Sequence, residues 1–173
     1  MNPNTSPTNS SRALSTISMT TPIGRLDVVA SDDAIVSIWF ETDGEGRRPD
    51  GAVAVDRGEH RLLDRAVQQL EEYFAGARTE FDLPLDPQGT AFQHQVWTVL
   101  RQIPYGETIS YGQQASMLGD KNKSRAVGAA NGKNPIPIVV PCHRVVGSNG
   151  HLTGFAGGLD TKAWLLDHER THR

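Results

Sequence analysis

Residues 84–89 read Pro-Leu-Asp-Pro-Gln-Gly, and the hydrophobic pattern has a different period on each side of them. Two prolines and a glycine in six residues let neither a helix nor a strand run through. The chain must therefore fold as two units joined here, residues 16–88 and residues 89–173. The first reads as a small α/β domain. Ile17 and Met19 on one side, and Leu26, Val28 and Ala30 on the other, flank Thr21-Pro22-Ile23-Gly24, which predicts a hairpin. Residues 34–40 form a further β-rich run. Gly44, Gly46, Pro49 and Gly51 make residues 42–51 a loop. Leu62, Leu63, Ala66, Val67, Leu70, Tyr73 and Phe74 then fall on one face of a helix that Gly76 stops. Residues 1–15, rich in Asn, Pro, Ser and Thr, are expected to be a disordered tail.

Past the break the pattern becomes mainly helical. Thr90 with Gln93, and Ser110 with Gln113, are capping-box pairs that open two helices. The first carries the stripe Phe92, Val96, Trp97, Val99, Leu100 and Ile103 and ends at Pro104-Tyr105-Gly106. The second closes at Gly119. Residues 124–131 predict a third short helix whose face is small: Ala126, Gly128, Ala129 and Ala130. Short helices joined by tight turns suggest a helix-turn-helix. Val145 and Val146, followed by Gly147-Ser148-Asn149-Gly150, predict a strand and a hairpin turn, as in a wing. A last helix runs over residues 160–169 and buries Trp164 and Leu165 or Leu166.

Charge divides at the same place. Residues 1–89 hold 8 basic and 15 acidic side chains, whereas residues 90–173 hold 9 and 5. A basic second half beside an acidic first half suits phosphate binding by the second alone, although ordinary surface variation also produces such a split. No apolar run approaches the roughly 20 residues of a membrane helix, and no signal-peptide pattern opens the chain. A cytoplasmic protein is expected.

The one cysteine excludes an internal disulfide and a zinc site built on several thiolates. It lies in Pro141-Cys142-His143-Arg144, after the apolar residues 136–140. Pro135 and Pro137 forbid a central strand there, so this is a buried, irregular segment that delivers Cys142 to a turn. Two readings of Cys142 are open. It is a small buried hydrophobe, or it is a nucleophile whose proton His143 removes. The second needs the turn to bring the two side chains, or a water between them, together. It also needs a third group to orient His143, and the sequence offers several carboxylates without selecting one.

Further residues fit a known family. Residues 92–96 (FQHQV), 103–108 (IPYGET), Ser110-Tyr111, 125–128 (RAVG), Asn134-Pro135, 140–145 (VPCHRV), 157–159 (GGL) and 162–169 (KAWLLDHE) occur in one order over about 80 residues. In this the chain resembles the O6-alkylguanine-DNA alkyltransferases, also called methylated-DNA–protein-cysteine methyltransferases. The first half resembles them only through its hairpin and long helix. The resemblance implies an α/β N-terminal domain followed by a mainly helical domain with a winged helix-turn-helix. It implies irreversible, stoichiometric transfer of an alkyl group from O6-alkylguanine, and from O4-alkylthymine, to Cys142 after base flipping. His143 would accept the thiol proton through a water, with Glu169 behind it. Tyr111 would assist base rotation and protonate the leaving base. Asn134 would brace the turn between the recognition helix and the acceptor. Arg125 would fill the gap left by the base. Ala126, Gly128 and Ala129 would lie in the minor groove, only ~6 Å wide. The same small residues also suit close helix packing. Pro137, Val145, Phe155, Ala156, Gly157 and Gly158 would wall the guanine pocket. Phe155 stands where many relatives carry Tyr, so a hydroxyl is missing there.

The implied partner is double-stranded DNA, with no cofactor, no metal, no membrane and no required protein partner; a monomer is expected. Three other readings compete. A lesion-flagging protein of the same fold would lack the cysteine. A winged-helix regulator leaves the Cys-His turn unexplained. A cysteine hydrolase needs an oxyanion hole and would turn over.

Overall fold

The computed structural model describes residues 12–43 and 49–173. The expected disordered tail lies outside the described residues up to residue 11, as do residues 44–48 of the expected loop; the last residue expected in the tail, Ser15, is instead a strand residue paired with Ala30. The chain opens with a hairpin, β1 (Ser15–Thr21) and β2 (Gly24–Ala30), joined by Pro22 and Ile23 with Thr21 opposite Gly24. The Thr21 hydroxyl donates to Gly24 O, and Gly24 takes φ +100°, a value that disfavours a side chain. β3 (Ile35–Phe40) pairs antiparallel with β2, and the two-residue β4 (Val53–Ala54) adds parallel to β1. The order β3-β2-β1-β4 leaves β2 central, and residues 26–30 are all buried.

α1 (Arg61–Phe74) lays its predicted stripe across β1, β2 and β3. Its first turn is capped by His60, whose ring nitrogen accepts from the Leu63 amide, and Gly76 stops it at φ +77°. In the second half, both capping boxes form. They open α2 (Ala91–Leu100) and α3 (Tyr111–Met117). α4 (Ser124–Gly132) packs between α2 and α3, held by the Trp97 indole on Ala130 O and by a buried reciprocal amide pair, Gln114 with Asn131. α5 (Leu159–Thr171) is longer at both ends than expected. It buries Leu165 fully but Trp164 and Leu166 only in part.

One expectation needs correction. The turn at residues 147–150 forms, with Gly150 N–H donating to Gly147 O, but no strand returns from it. β6 (Val145–Val146) pairs instead, in parallel, with β5 (Ile109–Ser110) just before α3. A parallel partner has to come from elsewhere in the chain, and β5 is too short to show any period in the sequence.

The two halves share one core. Residues 84–86 run along the open edge of β3, where Ile35 N–H donates to Pro84 O and Asp86 N–H donates to Ile35 O. Further along that edge Ile38 N–H donates to Pro135 O. The edge is thus covered from both sides of the break.

Candidate active site

The segment before Cys142 is irregular, as its prolines require. Ile138, a β-branched residue, adopts φ +74°, and Val140 N–H turns back to Ile136 O. Asn134 braces this loop at two points: its amide donates to Val140 O, and its carbonyl oxygen accepts from Ile136 N–H. Residues 142–144 then form one 3₁₀ turn. The turn sends its side chains to different places. Cys142 is half-buried and faces a cavity of about 20 Å³, while His143 and Arg144 are buried against α5. Tyr111, Asn131, Gly132, Asn134, Pro137, Gly154, Phe155 and Ala156 complete the cavity.

Behind the turn Glu169 gathers donors from three parts of the chain. Its Oε1 accepts from His143 Nε2 at 2.8 Å, Arg144 Nη2 at 2.8 Å and Tyr73 Oη at 2.9 Å. Its Oε2 accepts from Arg144 Nε at 2.9 Å and Gly106 N at 3.4 Å. Burial opposes ionisation of Glu169, but the hydrogen bonds and charges of His143 and Arg144 outweigh it and hold the carboxyl well below its usual range. A carboxylate at Nε2 fixes the proton of neutral His143 on that nitrogen. Nδ1 is then a buried acceptor with no partner among the described residues.

Burial pushes the His143 pKa down, against the raising effect of Glu169. Burial likewise pushes the Cys142 thiol up; the Asn134 amide, the Lys162 charge and the backbone N–H groups of the turn only partly offset it. Lys162 is fully buried and bonds Val145 O at 2.7 Å and Thr153 O at 2.8 Å. Its ammonium also lies 5.9 Å from the centre of the Tyr111 ring. The resting turn thus carries a neutral thiol and a neutral imidazole whose open nitrogen makes no direct hydrogen bond to the sulfur, so a proton leaving the thiol for this nitrogen needs a bridging group.

Of the residues expected at the site, the structure brings Cys142, Tyr111, Asn134, Pro137, Phe155 and Ala156 to one cavity, with His143 and Glu169 behind it. It does not bring Val145, Gly157 or Gly158 into the lining. Val145 is fully buried in the core and pairs with Ile109. Gly157 packs where a Cβ would lie 3.1 Å from Phe40 and Phe155. Gly158 caps α5 at φ +91°. Tyr111 Oη accepts from the Thr153 hydroxyl at 3.0 Å, which ties α3 to the loop over the cavity.

α4 stands beside this opening. Arg125, Ala126 and Ala129 are exposed and Gly128 half-buried, while Val127, Ala130 and Asn131 face inward. Ala126 and Ala129 are therefore outside the helix contacts, whereas Ala130 packs inward and Gly128 lies at ordinary distance from the Tyr111 ring. Lys121, Lys123 and Lys133 are exposed around them.

Tyr73, Arg144, Lys162 and Asn131 were missed as site residues. A signal existed for Lys162. Lys162, Leu165 and Glu169 follow i, i+3, i+7 on one helix face, and two charges on a buried stripe must have partners.

Two family models cover nearly all of this architecture. Residues 16–87 match "6-O-methylguanine DNA methyltransferase, ribonuclease-like domain", and residues 91–171 match the "DNA binding domain" of the same name. A methylated-DNA–protein-cysteine methyltransferase of Mycolicibacterium paratuberculosis is 60% identical over 112 residues, 65% of this chain and 68% of that one. The constitutive enzyme of Bacillus subtilis is 45% identical over 154 residues, 87% of this chain and 92% of that one. The Mycobacterium tuberculosis OGT solved in complex with DNA superposes with a TM-score of 0.83 at 41% identity, over 91% of this chain and 93% of that one.

Proposed function

Since the chain belongs to the 6-O-methylguanine DNA methyltransferase family, whose members act as methylated-DNA–protein-cysteine methyltransferases in DNA repair, we propose that it restores O6-alkylguanine in double-stranded DNA, moving the alkyl group onto Cys142 Sγ. Cytoplasmic DNA is its target, and O4-alkylthymine is a second substrate.

The chemistry follows from the resting pair. His143 Nδ1 accepts the thiol proton through one bridging water. The sulfur then attacks the alkyl carbon; the S–C bond forms as the C–O6 bond breaks. The restored guanine takes a proton through Tyr111, so the hydrogen lost by the thiol is regained by the base with solvent closing the balance. Glu169 stabilises the imidazolium formed in between. A thioether has no leaving route in water, so each chain acts once. No cofactor enters, because the DNA brings the alkyl group.

The lesion has to leave the stack to reach Cys142. α4 offers a face narrow enough for the minor groove, with Arg125 at its start to fill the vacated place. The cavity holds about one water, so a base enters only if its lining gives way. Asn134 links the end of α4 to the acceptor turn, and Phe155 packs on the base without donating to O6.

The observation that carries this reading is the buried Nδ1 of His143, without a partner among the described residues and fixed as an acceptor by Glu169, on the residue that follows the chain's one cysteine. Intact-protein mass spectrometry after mixing with duplex DNA holding one O6-methylguanine tests it. One methyl per chain, mapped to Cys142 and absent from Cys142→Ala, is the expected result. Lesion DNA bound with no mass gain would instead favour a lesion-flagging protein.

A further inference from the structure

The acidic N-terminal half reaches the Glu169 carboxylate through a side chain of α1. Tyr73 stands in the last turn of α1, fully buried, and its hydroxyl donates to Glu169 Oε1 at 2.9 Å. That same oxygen accepts from His143 Nε2 at 2.8 Å. Little freedom is left to this hydroxyl. The Tyr73 ring is packed by Phe74, Phe81, Tyr105 and His168, with centroids 5.3 to 6.2 Å away, and Tyr73 O accepts from His168 Nε2 at 2.7 Å.

Donors on one carboxylate oxygen compete for the same electron density. Each one stabilises the anion and so weakens its hold on the others. We propose that Tyr73 is a positioning residue for the transfer, setting through Glu169 Oε1 how strongly His143 holds a proton. The N-terminal half thereby acts on the chemistry at Cys142 without touching DNA. This rests on the proton path proposed above. The charged and titratable groups around the pair are Tyr73 from α1, Tyr105 from the turn after α2, Cys142 and Arg144 beside His143, and Lys162 and His168 from α5. Arg144 keeps Glu169 ionised whether or not the Tyr73 hydroxyl is present.

The sign is then fixed. Removing the hydroxyl in Tyr73→Phe makes Oε1 a stronger acceptor for His143, so the imidazolium persists to higher pH and the acceptor form appears later. A stronger donor does the opposite. The test is the single-turnover rate of methyl transfer against pH for the wild type, Tyr73→Phe, and the chain with 3-fluorotyrosine at position 73, together with an NMR titration of His143. Tyr73→Phe should move the acid limb up by about 0.5–1 pH unit, with a several-fold loss below the limb and recovery above it. The fluorotyrosine chain should move it down. An unchanged limb and His143 titration in folded Tyr73→Phe overturns the proposal, as does an equal slowing at every pH. If Tyr73→Phe does not fold, the nearly isosteric fluorotyrosine chain decides by the same criterion. A wild type that takes up no methyl refutes the functional reading instead, while the His143 titration still judges Tyr73.

Discussion

At Glu169 one carboxylate of α5 holds together groups that lie far apart in the sequence: Tyr73, Gly106 and the adjacent pair His143 and Arg144. Its folded pKa lies below the ordinary 4.5, so the stability it contributes is present above that value and lost as pH falls through the folded value. His143 acts in the same direction. Its folded pKa lies below 6.5, and on acidification the unfolded chain takes up that proton first. Wild-type stability should therefore decline from about pH 6.5 downward. Glu169→Gln leaves Arg144 buried beside a neutral amide, which should cost about 3–5 kcal/mol at pH 7. It should also remove the Glu169 share of the acid dependence and slow methyl transfer; denaturant melts at pH 7 and 5 with transfer rates check both. At this scale the irregular turn at Cys142 was legible, because the Pro-Cys-His-Arg string follows an apolar run that cannot be a strand, but the choice of nucleophile over buried hydrophobe came through the family resemblance. Glu169 came only through the family resemblance, since spacing alone does not single out one carboxylate. Tyr73 was legible only as a core aromatic, because helical periodicity reports that a ring is buried and is silent on where its hydroxyl points.

Two helices of the second half, α2 and α3, were written in their caps. Thr90 and Ser110 each place an oxygen on the third amide of the helix that follows, a local rule that survives any tertiary context. The pairing of Ile109 with Val145 and the positive φ of Ile138 are set by packing between distant segments, and no local pattern encodes them. On α4 the alanines at 126 and 129 are exposed and do not serve close helix packing, while Gly128 and Ala130 do lie against neighbouring helices. Ala129→Leu should change folding stability by no more than about 0.5 kcal/mol, yet weaken duplex binding by crowding the groove; fluorescence anisotropy and thermal melts separate the two. An unimpaired affinity would remove α4 from the groove. Arg125→Ala should slow repair in duplex DNA far more than reaction with free O6-alkylguanine base, which has no stack to leave. Equal slowing of both would rule out the gap-filling role.

Taken whole, the molecule has two pattern-distinct halves but one core, and the loop over the cavity rests on both. Phe40 of β3 meets the Phe155 ring edge-on at 5.5 Å and lies against Gly157. Phe40→Ala should cost about 3–5 kcal/mol and, by removing the floor under residues 155–157, lower the transfer rate in the protein that remains folded. Thermal melts and rates measured at low temperature distinguish the two effects. This joint dependence could not be read from either half alone, because each carries its own periodic signal and neither signal reports the contact between them. The covered edge of β3 has a consequence for how the chain is made. Synthesis delivers Leu85 soon after β3, but Pro135 only after α2, α3 and α4 have followed. Until then the nascent sheet keeps part of its edge open, a template on which a neighbouring chain could pair. On the single-use chemistry proposed above, each lesion consumes one chain and fresh synthesis replaces it, so every replacement passes through that interval, and it is longest when translation is slow.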